Sequence, residues 1–209
     1  NNRFIFMKII IFDDDPTGSQ TVYGCPLLLS WDEESLEKAF NQPSQLIFIL
    51  ANTRSLSPAL ANKKIREICT SLQNFFLRKG YSKDDYFYIS RGDSTLRGHG
   101  VSEPAIISKE LGPFHATFHI PAFFEGGRTT EDGIHYLDDI PVHMTDFGRD
   151  KLFGFSTSDL AKWIEEKSFG KIQAENILHV EIKQLDMAFH NEDGFKSLLS
   201  FLYELENNI

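Results

Sequence analysis

The chain has 209 residues, 41% hydrophobic and 13% aromatic with 19 Phe, which is enough apolar material for one sizeable core or two small ones. A formal charge of −9 excludes a broad nucleic-acid surface, which needs clustered Lys and Arg; apolar runs such as residues 46–51 fall far short of the roughly 20 residues of a membrane helix. Cys25 and Cys69 both lie in mainly apolar segments, so reduced core thiols are expected rather than a disulfide framework. Residues 1–7 lack the length of a signal peptide, and the expected location is the cytoplasm.

In chain order, residues 1–6 read as an extension ahead of Met7, and residues 7–209 as one domain without repeat or linker. Residues 8–12 (KIIIF) predict a strand that ends in Asp13-Asp14-Asp15-Pro16-Thr17-Gly18. A shorter strand is expected at 26–30 and a helix at 32–40, with Asp32 as N-cap. The run LIFIL at 46–50 breaks into Ala51-Asn52-Thr53-Arg54-Ser55-Leu56-Ser57-Pro58. Ser57 and Pro58 open a helix that Gly80 closes. A strand at 86–89 leads into Ser90-Arg91-Gly92-Asp93-Ser94-Thr95-Leu96-Arg97-Gly98 and then a helix at 102–111. Residues 116–120 predict a further strand, breaking into a loop that carries Gly126-Gly127-Arg128-Thr129-Thr130. The stretch 133–154 reads as loops and short elements, 177–182 as a late strand, and 193–206 as a closing helix.

Strands apolar on both faces and separated by helices imply an α/β fold of three layers, a mostly parallel, Rossmann-like sheet with helices on both faces. Ligands bind such sheets at the C-terminal ends of the strands, so the unusual loops are expected to meet at one rim. That rim would hold Asp14, Asp15, Asn52, Arg54, Arg91, Asp93, Ser94, Arg97 and Arg128. Carboxylates accept hydrogen bonds from hydroxyls, and guanidiniums grip a carboxylate or phosphate through two bonds. The set therefore suits a short polyhydroxy acid. Each member also has a plainer role: either Asp can stabilise the turn at Gly18, and Asp93 and Arg97 can pair with each other. His115 and His119 stand four apart but lack the Glu of a zinc motif, so no metal site is expected there. The chain contains no GxxxxGK[ST] phosphate loop.

Two resemblances compete for the acidic loop. Asp13, Asp15 and Thr17 form DxDxT, which resembles the first motif of the haloacid dehalogenase-like phosphatases, with Asp13 as nucleophile and magnesium between the carboxylates. That reading needs a later acidic pair, and Gly92-Asp93 is followed instead by Arg97, whose charge repels magnesium. The second resemblance aligns Asp14-Asp15-Pro16-Thr17-Gly18, Asn52 to Pro58, Asp93-Ser94-Thr95-Leu96-Arg97-Gly98, Pro121-Ala122-Phe123 and Gly127-Arg128-Thr129-Thr130 with the N-terminal domain of the four-carbon acid sugar kinases. Thr145-Asp146-Phe147-Gly148-Arg149-Asp150 is similar to that family's next segment. The chain departs from the usual pattern at Pro16, Ser19, 90–92 and Gly126, and keeps the acidic pair and the arginine positions.

The second resemblance implies the sugar-acid-binding half of a two-domain kinase that phosphorylates threonate, erythronate or a 3-oxo-tetronate. ATP and magnesium would be held mainly by a C-terminal nucleotide-binding domain, supplied in cis or in trans, and a homo-oligomer is compatible with the family. The chain ends about where that domain would begin, which implies a half-enzyme inactive alone. Asp15 or Asp14 would serve as base, Asp15 preferred for lying nearer the turn. Arg54, Arg91, Asp93, Ser94, Arg97, Gly127, Arg128 and Thr129 would hold the substrate. A non-catalytic sugar-acid-binding module is the further alternative.

Overall fold

A computed structural model describes residues 7–204; the expected extension at 1–6 and the end of the closing helix lie outside the described residues. These residues fall into two compact units. The first runs to Asp93 and resumes at Gly98–Gly112; the second comprises Ser94–Arg97 and the chain from Pro113 onward.

The first unit is built on a four-stranded parallel sheet of β1 (Lys8–Asp13), β2 (Leu27–Leu28), β3 (Leu46–Leu50) and β4 (Tyr86–Arg91), in the order β2-β3-β1-β4. Helices flank the sheet on both sides, as expected for strands that are apolar on both faces. They are the single turn α1 (Pro16–Ser19), α2 (Glu33–Phe40), α3 (Pro58–Lys79) and α4 (Ser102–Leu111). Ile10, Phe12, Ile47 and Ile49 are fully buried, as are Ile65, Ile68 and Leu72 of α3. Each such side chain contributes roughly 1.5–3 kcal/mol of burial free energy. Phe40, Phe75, Phe76, Tyr81 and Tyr86 close one end in a cluster of tilted and stacked rings.

Local chemistry sets the helix ends. Asp32 caps α2 by accepting from the Ser35 N–H, Pro58 opens α3, and Gly80 ends it in the left-handed conformation at φ +67°. Cys69 is a core residue; Cys25 is half-buried, and both thiols are free.

The strand order carries the functional information. From β1 the chain goes to one side of the sheet, through β2 and β3, and then crosses to β4 on the other side of β1. That reversal leaves the C-terminal ends of β1, β3 and β4 side by side at a switch point, where open parallel sheets bind ligands.

The second unit contains an antiparallel meander of β5 (Arg128–Glu131), β6 (Ile134–Leu137) and β7 (Ile140–Pro141). After it come α5 (Leu160–Lys167), α6 (Ile182–His190) and α7 (Glu192–Tyr203). Three expectations are corrected here. Residues 128–131, read as loop, form a strand because the turn at Asp132-Gly133, with φ of +48° and +75°, folds them back onto β6. Residues 116–120 and 177–182 form no strand: they pair with no ladder among the described residues, and Ile182 instead starts α6. The reason at 182 is local, since the Glu181 N–H donates to Gln184 Oε1 at 2.8 Å, one arm of a capping box.

Candidate functional site

The three consecutive aspartates leave β1 into different surroundings, because adjacent side chains in extended backbone point to opposite faces. Asp13, the last residue of β1, is fully buried and pairs with Arg91 in register on β4, Arg91 Nη1 donating to Oδ1 at 3.3 Å. Its second oxygen is buried without a partner. Burial raises the Asp13 carboxyl, and Arg91 offsets part of that rise. Gly18 makes the pairing possible: a Cβ at that position would lie 1.7 Å from Arg91 Nη1 and 2.5 Å from Asp13 Oδ1.

Asp14 is 2% exposed and bonds Arg54 through both oxygens, from Nε at 3.0 Å and from Nη2 at 2.7 Å. Burial raises its carboxyl, Arg54 pulls it down, and the nearby charges of Asp93 and Asp15 push it up again. Burial works against the Arg54 guanidinium, but its bonds to Asp14 hold it above its ordinary value. Backbone bonds fix the pair, since the Arg54 N–H donates to the Asp14 carbonyl and the Ala51 and Asn52 N–H groups to that of Asp13. Asn52 turns the chain at φ +50°.

Asp15 caps α1, accepting from the Thr17 N–H at 2.8 Å and from its hydroxyl, which together hold its carboxyl below the usual range. It is the most exposed of the three aspartates, and its Oδ2 lies 3.5 Å from Arg54. The first unit thus assembles Asp14, Asp15, Arg54, Arg91 and the charge of Asp93 at the switch point.

Sequence reasoning missed one member of this cluster. Glu103, in the first turn of α4, is 2% exposed, and burial, only partly offset by the Thr53 and Ser90 hydroxyls and Arg54, pushes its carboxyl up to about 7. Thr53, of the Asn52 to Pro58 motif, is fully buried, and its hydroxyl acts on Glu103. An acidic residue in a first helical turn ordinarily reads as a surface residue favouring the helix dipole, so only tertiary packing reveals Glu103.

The other expected residues, Ser94, Arg97, Gly127, Arg128 and Thr129, belong to the second unit. Arg97 lies over the ring of Phe147 at 4.6 Å and bonds the Thr95 hydroxyl. Arg128 lies 5.7 Å from the Phe123 ring, with Nη1 donating to the Gly126 carbonyl at 2.6 Å. Gly126 allows that return, because a Cβ there would sit 2.1 Å from Arg128 Nη1. Gly127 turns into β5 at φ +70°, and Thr129 pairs with Tyr136.

Beneath this loop His135, fully buried, bridges the Thr130 hydroxyl at 2.9 Å and the Ser94 carbonyl at 2.7 Å, tying the two predicted motifs together. His119 stacks on Trp163, and burial and His135 lower its imidazole to about 4.

The acidic residues described do not by themselves form a magnesium centre. Among the described residues no group of three or more His, Cys, Asp or Glu is arranged to hold a cation, and Asp14 commits both oxygens to Arg54. No helix of the described residues is long and apolar enough to cross a membrane.

A parallel α/β domain with paired carboxylates and guanidiniums at its switch point defines a ligand-binding class of protein. The family profile of the sugar-binding N-terminal domain matches residues 9–197, and the chain belongs to that family. No curated protein matches the sequence. Among solved structures, a Bordetella bronchiseptica protein of a domain of unknown function (DUF1537), crystallised with bound citrate as a domain-swapped dimer, is similar at 24% identity and a TM-score of 0.59. The match covers 75% of this chain and 40% of that one. A second crystal form of that protein gives 22% and 0.55, covering 75% and 39%. A Salmonella typhimurium LT2 protein, provisionally called a tRNA synthase, gives 14% and 0.59 over 96% of this chain and 47% of that one. The chain spans less than half the length of these structures.

Proposed function

We propose that this chain is the substrate-binding half of a kinase that transfers a phosphoryl group from ATP to a hydroxyl of a four-carbon sugar acid of the threonate, erythronate or 3-oxo-tetronate type. The observation that carries the reading is the Asp14–Arg54 pair with Asp15 beside it at the strand ends, in a chain of the sugar-binding family. Citrate in the Bordetella relative, a short hydroxylated polycarboxylate, supports the same ligand class.

In this reading Asp15, the accessible carboxylate, accepts the substrate hydroxyl and takes its proton during transfer. Asp14 is too committed to Arg54 for that role, and the pair instead supplies a rigid edge against which Asp15 is set. In the second unit the aromatic faces of Phe147 and Phe123 orient the planar groups of Arg97 and Arg128, donor arrays of the kind that grips a carboxylate. Phosphoryl transfer depends mainly on positioning and charge neutralisation, so one carboxylate base suffices. Magnesium and ATP would be held by a nucleotide-binding domain in cis or in trans.

Calorimetry with threonate and erythronate tests the binding claim, and ATP consumption is then measured with and without a nucleotide domain from a two-domain relative. Binding by the chain alone, with turnover only when the second domain is present and lost in Asp15→Asn, is expected. Binding without turnover under every condition would favour a non-catalytic module. Magnesium-dependent phosphate release lost on Asp13→Asn would favour the phosphatase reading, which the full burial of Asp13 and its pairing with Arg91 disfavour.

A further inference from the structure

The two guanidiniums beside the aspartates differ in how much of their bonding is used. Arg54 spends its Nε–Nη2 edge on the two oxygens of Asp14, and its side chain is 21% exposed. Arg91 makes one bond, from Nη1 to Asp13 Oδ1 at 3.3 Å, and its side chain is 37% exposed. Among the described residues that oxygen is the only acceptor bonded by the Arg91 side chain. A guanidinium carries its N–H donors in a fixed planar fork. In Arg91 the Nε–Nη2 edge, the one that Arg54 gives to Asp14, is therefore uncommitted. It stands at the end of β4 near Asp15, whose carboxyl the Arg91 charge helps to hold low.

Three restraints fix where that edge stands. Asp13 and Arg91 are register partners on β1 and β4, and the Asp14 N–H donates to the Arg91 carbonyl at 3.2 Å, which pins the root of the side chain. Asp13 is fully buried at the end of its strand, so its bond tethers Nη1 from below. Gly18 supplies clearance rather than backbone freedom, since its φ is not positive: a Cβ there would lie 1.7 Å from Arg91 Nη1 and 2.6 Å from Cζ. We propose that Asp13 is a positioning residue that, with the clearance at Gly18, holds Arg91 by one nitrogen and leaves its free edge to grip a carboxylate of the ligand through two parallel bonds. Arg54 then serves as the counter-ion of Asp14, and Arg91 is the ligand-binding cation of the first unit. Asp13 affects the ligand only through Arg91. That the ligand is a sugar acid rests on the function proposed above; the tether does not.

The test is a binding cycle on the whole chain, read by calorimetry with threonate and erythronate for the wild type, Asp13→Asn, Arg91→Met and the double variant. Arg91→Met should weaken binding roughly ten- to a hundredfold, the loss of a charged two-bond grip. Asp13→Asn, which keeps the shape of the side chain and removes its charge, should weaken binding roughly three- to tenfold when Arg91 is present and not at all when it is absent. Where Asp13→Asn does not fold, Gly18→Ala takes its place in the cycle with the same expectation. Unchanged affinity in Arg91→Met would overturn the proposal, and so would an equal effect of Asp13→Asn with and without Arg91, which is what a merely structural role gives. If neither sugar acid binds the wild type, the sugar-acid reading fails, and modification by the arginine reagent phenylglyoxal with peptide mapping decides the tether alone. Arg91 should react several-fold faster than Arg54, and Gly18→Ala should change the Arg91 rate while leaving that of Arg149, whose side chain is 73% exposed, as it was. Equal rates at Arg91 and Arg54, or an Arg91 rate that Gly18→Ala does not move, would refute it.

Discussion

The two units bury ionisable groups in different company, although each also holds a buried imidazole, His99 in the first and His135 in the second. In the first, carboxyl groups are taken out of water at the ends of parallel strands and held by guanidiniums, with Asp13 on Arg91 and Asp14 on Arg54. In the second, imidazoles leave the water instead: His135, fully buried, sits between Thr130 and Ser94, and His119, half-buried, lies against Trp163. Arg97 and Arg128 of the second unit lie over aromatic rings. The difference teaches that the same residue type serves two ends. Arg54 is a counter-ion whose removal strands a buried charge, whereas Arg128 is a donor array laid over an aromatic face.

The sharpest way to break this contrast is to remove one arginine from each unit. Arg54→Met should cost about 3–5 kcal/mol in urea unfolding, because Asp14 is left buried and unpaired. Arg128→Met should cost about 1 kcal/mol or less, since it gives up a cation–π contact and relieves a buried Nε that has no partner. Equal losses would show that Arg128 too neutralises a buried charge.

Next in size is the response to acid. His119 falls from 6.5 to about 4 on folding, so its contribution is complete above the first value and lost as pH falls toward the second. The wild type should lose on the order of 3 kcal/mol over that range relative to His119→Phe, which keeps the stacking on Trp163. Overlapping profiles for wild type and His119→Phe would show that folding does not shift this imidazole.

The smallest effect concerns backbone alone. Gly127→Ala should cost about 1–2 kcal/mol, because residue 127 sits at φ +70° and a Cβ there would approach Asp138 Oδ1 to 2.0 Å. Thermal unfolding of this variant should shift by a few degrees, and an unshifted midpoint would mean that the turn into β5 relaxes without strain.

The chain wrote some of this plainly. KIIIF, LIFIL and the segment beginning at Tyr86 are apolar on both faces and became neighbouring parallel strands, while Asp32, Pro58 and Gly80 bound their helices where capping chemistry requires. The strands expected at 116–120 and 177–182 failed for a common reason: short apolar runs are legible as strands only when a partner strand is present, and a partner is a non-local fact. Residues 128–131 went the other way, since β6 recruited a polar stretch that resembled a loop. The motif residues were legible as chemistry, but the sequence could not say which of three adjacent aspartates would be buried, nor that two of them would be bound to Arg54 and Arg91.

By itself the sequence determined the class of fold, the family and the acidic and basic residues on which a binding site can draw, because periodicity, capping and motif spacing are local properties. The tertiary structure decided how each charge is used: Asp13 on Arg91, Asp14 on Arg54, Asp15 left accessible, and Glu103 drawn in from a helix that looked solvent-facing. The physical reason is that a carboxyl's ionisation and reach depend on the dielectric and the counter-charges around it, and those are assembled by residues distant in the chain.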